Sequence, residues 1–153
     1  MQPLNILGIY RHPIFSNNAI EADRLILEES LAQLRRISSL NLRIEMVEES
    51  DVAKIRGNFA LVLTMAQDPK TLDILDEVLP TSTVWNSQEA IRNCYRKKMS
   101  MMLSNAEVGY VPFQLLPTDG SVEPLLEEAA SYWLKRSDFH AIADEDVTLA
   151  ESP

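Results

Sequence analysis

The feature that most constrains this chain is a repeated change of period, in which short apolar runs of strand length give way, through turn-prone residues, to apolar residues at helical spacing. The run Leu4-Asn5-Ile6-Leu7-Gly8-Ile9-Tyr10 is broken by Arg11-His12-Pro13 and Ser16-Asn17-Asn18. Ile20, Leu27, Leu31 and Leu34 then mark one helix face to about Ile37. Asn18, with Glu21 three residues later, has the form of a capping box. Leu40 to Val47 alternates as a half-buried strand near a sheet edge does, and Phe59 to Met65 is more uniformly apolar. Asp68-Pro69 supplies an N-cap and a proline at the first helical position for a helix buried through Leu72, Leu75 and Leu79 and ended by Pro80. Thr83-Val84-Trp85 makes a short strand, and Asn86 with Glu89 caps a helix to about Leu103.

Strand and helix thus alternate about four times with short links, which predicts an α/β fold: a Rossmann-like parallel sheet with helices on both faces. The pattern changes after Gly109. Tyr110 to Leu116 reads as extended and Pro117-Thr118-Asp119-Gly120-Ser121 as a turn-rich link, so the chain divides into 1–116 and 117–153. In the second part Val122, Leu125, Leu126 and Ala129 favour a helix. Tyr132-Trp133-Leu134-Lys135-Arg136 is either its last turn or a new strand, and Asp146-Val147-Thr148-Leu149 is a strand with no obvious partner.

Composition narrows the function classes. A net charge of -9 in 153 residues argues against DNA or RNA as partner, because such affinity rests on clustered Lys and Arg. A lone cysteine, Cys94, forms no internal disulfide, nothing resembles a signal peptide, and the longest apolar stretches, such as Ala60 to Met65, fall far short of a membrane span. A cytoplasmic protein without nucleic-acid or membrane partners is expected. With only four glycines there is no glycine-rich phosphate loop.

Ligands of open parallel sheets bind beyond the carboxyl ends of the strands, so segments directly after strands are the candidate sites. The first is Arg11 to Asn18, where Arg11, Ser16, Asn17 and Asn18 precede a helix whose N-terminus offers N–H groups to an anion; the same three polar side chains also suit plain helix capping. His12 is a proton carrier or a solvated loop residue. The second is Asn86-Ser87, again a cap or a ligand group. In the helix that follows, Ile91, Cys94, Tyr95, Met101 and Met102 fall on one face with Lys98 in the middle of the stripe, so its ammonium must snorkel to water or meet an anion. Lys97 points away. Lys135 ends an apolar run, and the acids Asp138, Asp144, Glu145 and Asp146 lack any spacing that specifies a metal, so none is assigned.

Taken together, Tyr10-Arg11-His12-Pro13-Ile14-Phe15-Ser16-Asn17-Asn18, then Asn86-Ser87 with Ile91-Arg92-Asn93-Cys94-Tyr95-Arg96 and Met99, then Tyr132-Trp133-Leu134-Lys135-Arg136-Ser137-Asp138 with His140-Ala141 and Glu145-Asp146-Val147 resemble uncharacterised bacterial ATP-grasp proteins. The resemblance implies a Rossmann-like pre-ATP-grasp domain over 1–116, followed by a linker and the start of an incomplete ATP-grasp small lobe. It implies a ligase that uses ATP and Mg2+ to phosphorylate a small-molecule carboxylate, which an amine or another nucleophile then attacks. Lys135 matches the later of two phosphate-facing lysines; Lys98 is the candidate for the earlier one and Arg96 its rival. The Arg11 to Asn18 loop, with Asn86, would line the substrate side. Lys97 stands where the family often has Asp, and no glycine-rich cover follows Lys135. The adenine hinge and the magnesium ligands of the family lie beyond Pro153, so ATP and Mg2+ are expected of a longer parent, this chain alone is not expected to turn over, and no catalytic residue is assigned. The apolar surface of such a partial lobe is a route to a homodimer. The other reading is a stand-alone Rossmann-like binding or oligomerisation module without ATP chemistry.

Overall fold

The computed structural model describes residues 2–16, 18–80, 82–106, 108–121, 131–138 and 142–151. Its contacts divide the chain into two compact units, Met1–Arg92 and Asn93–Pro153, whereas the change of pattern in the sequence lies at 116/117.

The first unit is a parallel sheet. Strands β1 (Leu4–Tyr10), β2 (Leu42–Glu48), β3 (Leu61–Thr64) and β4 (Thr83–Trp85) lie in the order β2-β1-β3-β4, all pairs parallel. Helix α1 (Ile20–Ile37) links β1 to β2, a 3-10 turn over Glu49–Lys54 follows β2, and helix α2 (Pro69–Val78) links β3 to β4. Right-handed crossovers that step in opposite directions from β1 place α1 and α2 on opposite faces. The alternation of the strands agrees. Ile6 packs with Leu27 and Leu31 of α1. Leu7, Ile9 and Val62, of opposite parity, are fully buried, as are Leu72 and Leu75 of α2 and Val52 of the 3-10 turn that packs against α2. Gly8 lies where α1 comes closest: a Cβ there would sit 2.5 Å from Met46 Sδ and 2.7 Å from Leu31 Cδ1. This is the α/β, Rossmann-like architecture that the alternating periods imply.

Two details of the capping differ. The N-cap of α1 is Ala19, with no side-chain cap, while Asn18 takes the left-handed region at φ 60°, so the expected Asn18–Glu21 capping box does not form. Asn tolerates that conformation, and using it for the turn removes its side chain from the capping position. Asp68 does cap α2, accepting from Lys70 N–H, with Pro69 at the first helical position.

The helix expected from Asn86 to Leu103 is two helices, α3 (Gln88–Asn93) and α4 (Arg96–Asn105), separated at Cys94-Tyr95, where Tyr95 is extended at φ −62°, ψ 135°. Ser87, not Asn86, holds the start of α3, its Oγ accepting from Ala90 N–H at 3.2 Å. A helix N-terminus has N–H groups with no partner inside the helix. Here the Ser137 carbonyl accepts from Lys97 N–H at 2.9 Å, so a tertiary acceptor stabilises a fresh start at Arg96.

In the second unit β5 (Ser131–Lys135) pairs antiparallel with β6 (Val147–Glu151). Tyr132 to Lys135 is therefore strand, with Arg136 just past its end, and β6 has the partner that its sequence did not reveal. Residues 108–117, which include Tyr110 to Leu116, belong to no helix or paired strand. The helix expected over Val122 to Ala129 lies outside the described residues.

Candidate functional site

The order β2-β1-β3-β4 fixes where a crevice must open. From β1 the chain moves to β2 on one side and returns to β3 on the other, so the connections diverge between the carboxyl ends of β1 and β3. The lips are Arg11 to Asn18 after β1 and Met65 to Asp68 after β3.

Those lips are joined by a residue of the third strand end. Glu49, directly after β2, is 1% exposed. Its Oε2 accepts from His12 N–H at 2.6 Å, and its Oε1 accepts from Gln67 N–H and Asp68 N–H, both at 2.8 Å. Three backbone donors at a switch point, two of them at the entrance to α2, are the groups that would cradle an anion. The protein fills this cradle with its own carboxylate. Hydrogen bonds to an ionised acceptor are about twice as strong as neutral ones, and the α2 dipole adds to them.

The β1 loop is held in the same way. Arg11 Nη1 pairs with Asp23 Oδ2 at 2.9 Å, Arg11 Nε reaches the Met65 carbonyl at 3.4 Å, and Ser16 Oγ donates to the same Asp23 oxygen. Ser16 is buried. Arg11 and Ser16 are thus brought together, but by Asp23, and both serve the loop. Asn18 is exposed, and Asn17 lies outside the described residues. Asn86 is exposed after β4, two strand spacings or about 10 Å from the end of β1. His12 caps the 3-10 turn Pro13–Phe15, its Nδ1 accepting from Ile14 N–H at 3.2 Å. At the end of β1, Tyr10 Oη donates to Glu28 at 2.6 Å and the Arg24 guanidinium lies 4.2 Å from the Tyr10 ring. Burial, then Glu28, raises the phenol's pKa above its usual value.

The cations expected to face phosphate lie in the second unit. Arg96 Nη1 reaches the Arg136 carbonyl at 2.5 Å, and Lys97 N–H bonds Ser137 as above, so the start of α4 is docked on the residues that end β5. The segments carrying Arg96, Lys98 and Lys135 therefore share one corner. Lys98 does not lie in a buried apolar stripe: the break at Cys94-Tyr95 removes the common phase, the buried side of α4 is Ser100 with half-buried Met99 and Leu103, and Lys98, Met101 and Met102 are exposed.

Lys135 is exposed on β5. The register pairs Trp133 with Leu149 and Lys135 with Val147, so these four share one face of the hairpin, with Trp133 62% and Leu149 45% exposed. Arg136 next to it is structural. Its guanidinium grips Asp138 through Nε at 2.6 Å and Nη2 at 2.8 Å, and this pairing raises its pKa. Asp146 closes the same loop by accepting from Ile142 N–H at 2.8 Å and Ala143 N–H at 3.0 Å, and those bonds lower its pKa.

Glu49 and Asp23 are the residues that reading the sequence missed. The rule that found Arg11 and Asn86, searching directly after each strand, would have found Glu49 had it been applied to β2. No protein-family model matches the chain, and no curated protein or solved structure is significantly similar to it.

Proposed function

We propose that the chain belongs to an ATP-grasp ligase and meets ATP through the β5–β6 hairpin, with Lys135 against the phosphates. The observation that carries this reading is the exposed hairpin face on which Lys135 follows Trp133 by two residues, with Leu149 beside the tryptophan. A flat apolar floor next to a flexible ammonium suits a nucleotide, since a base stacks on the ring and the lysine's long stem lets its charge reach the phosphates. Arg96 and Lys98, on the helix docked at the end of β5, are the neighbouring cations that would share the phosphate charge. Their work is electrostatic, offsetting charge as a phosphoryl group moves.

In such ligases ATP supplies the phosphoryl group that activates a carboxylate. Of the residues expected to meet the carboxylate, Asn18 and Asn86 are exposed in the first unit, while Arg11 and Ser16 hold the loop after β1. Among the described residues no group of three His, Cys, Asp or Glu is placed to hold a metal ion.

One observation favours a second reading, a Rossmann-like binding module without ATP chemistry: the donors at the switch point are occupied by Glu49. Calorimetric titration with MgATP separates the two. The ligase reading expects saturable binding by the wild type and at least about tenfold weaker binding by Lys135→Ala, as expected for loss of a charge-assisted contact. Equal affinity in the two proteins, or none in either, supports the module instead.

A further inference from the structure

The outer edge of the sheet carries an inference independent of ATP. Strand β2 is the terminal strand, and among the described residues no strand pairs with its outer side. It is seven residues long and in unbroken register with β1, and its sequence, Leu42-Arg43-Ile44-Glu45-Met46-Val47-Glu48, has no proline, lysine or bulge. Those are among the devices by which proteins keep an edge from pairing, and the charges that β2 does carry on one face, Arg43 and Glu45, are of opposite sign. Beside it, Leu31 and Ala32 of α1 with Ile44 and Met46 form an apolar groove of about 260 Å3, rimmed by Glu28 and Arg35.

The strand is complementary to itself. Leu4 N–H donates to the Asn41 carbonyl at 2.9 Å, so odd-numbered positions here turn their backbone groups toward β1. By alternation, Leu42, Ile44 and Met46 turn theirs to the open edge. A two-fold axis through Ile44 then sets Ile44 opposite its own copy as a hydrogen-bonded pair and Leu42 opposite the partner's Met46 on the groove side. Arg43 falls opposite the partner's Glu45, twice, at the narrow non-hydrogen-bonded sites where side chains come closest. A shift of this axis by one residue keeps the hydrogen-bonding parity but sets Arg43 or Glu45 opposite its own copy, like charge against like charge, and so is disfavoured.

We propose that β2 is a homodimer interface, pairing antiparallel with a second copy about Ile44 to make one continuous eight-stranded sheet. Self-complementary charge and apolar register select a second copy over a foreign strand.

The test is sedimentation of the wild type, Arg43→Glu, Glu45→Arg and an equimolar mixture of the two variants. Both side chains are exposed, and circular dichroism melting checks that each variant is folded. The wild type sediments as a dimer. Each variant alone places like charges opposite each other at two sites and weakens the dimer by about tenfold or more. Mixing restores it, because Glu at 43 then meets Arg at 45 of the other chain. The variants move net charge in opposite directions, so a general charge effect cannot weaken both. A monomeric wild type, a dimer that tolerates either variant, or a mixture no tighter than its components overturns the proposal.

Discussion

The carboxyl edge of the sheet and the face of the β5–β6 hairpin are both rich in groups suited to an anion, yet they treat those groups in opposite ways. At the sheet edge the donors of His12, Gln67 and Asp68 close on Glu49, and Arg11 and Ser16 close on Asp23. On the hairpin Trp133, Lys135 and Leu149 stand exposed. The first region has turned the architecture of a phosphate site into a fastening for its loops. The second, with little burial of its own, leaves a cation and an aromatic surface exposed. Position beyond the strand ends therefore identifies where a ligand could bind, but the hydrogen-bond count there decides whether it is free to.

The largest effect that would break this contrast is expected at Glu49. Glu49→Ala strands three N–H groups in a buried place, and chemical denaturation should show a loss of at least about 3 kcal/mol. Glu49→Gln keeps an oxygen for Gln67 and Asp68 but turns an amide donor toward His12 N–H, so it should fall between. A loss below about 0.5 kcal/mol for the alanine variant would mean that the carboxylate is not a fastening. Next is Gly8→Ala, whose Cβ would overlap Met46 Sδ and Leu31 Cδ1; overpacking of this kind costs about 1–3 kcal/mol, and thermal unfolding reads it. Smallest is Lys135→Ala, which should leave stability within about 0.5 kcal/mol while weakening MgATP.

Acid sharpens the contrast within the hairpin. Asp146 has its pKa lowered by the Ile142 and Ala143 N–H groups in the folded state, so its contribution is fully present above the ordinary carboxylate pKa and is lost as pH falls through the lowered value. Protection factors at residues 142 and 143, each taken against intrinsic exchange at the same pH, should fall below about pH 4 while those of the β1–β3 pairing hold. An equal fall in both would show that the loop is not the acid-sensitive part.

Much of the sheet was legible because each strand and helix carries its own period. Leu27 and Leu31 lie on the buried face of α1 as their spacing requires, and Asp68-Pro69 starts α2 where local chemistry says it must. What was not legible depended on partners distant in sequence. The break at Cys94-Tyr95 is stabilised by Ser137, some forty residues on, and without that acceptor the helical phase through Lys98 looked continuous. Glu49 sits in Glu48-Glu49-Ser50-Asp51, a run that reads as a solvated acidic turn until three N–H groups from two other loops surround one of its members. Lys135 was readable as a residue, but the strand under it became certain only with β6 across from it.

The most direct test follows amide hydrogen exchange with and without MgATP. Added protection over residues 131–135 and 147–151, with residues 11–16 and 65–68 unchanged, is the predicted result. Protection gained at 11–16 and 65–68 while the hairpin stays unchanged would contradict it, because the nucleotide would then have entered the crevice whose donors Glu49 occupies.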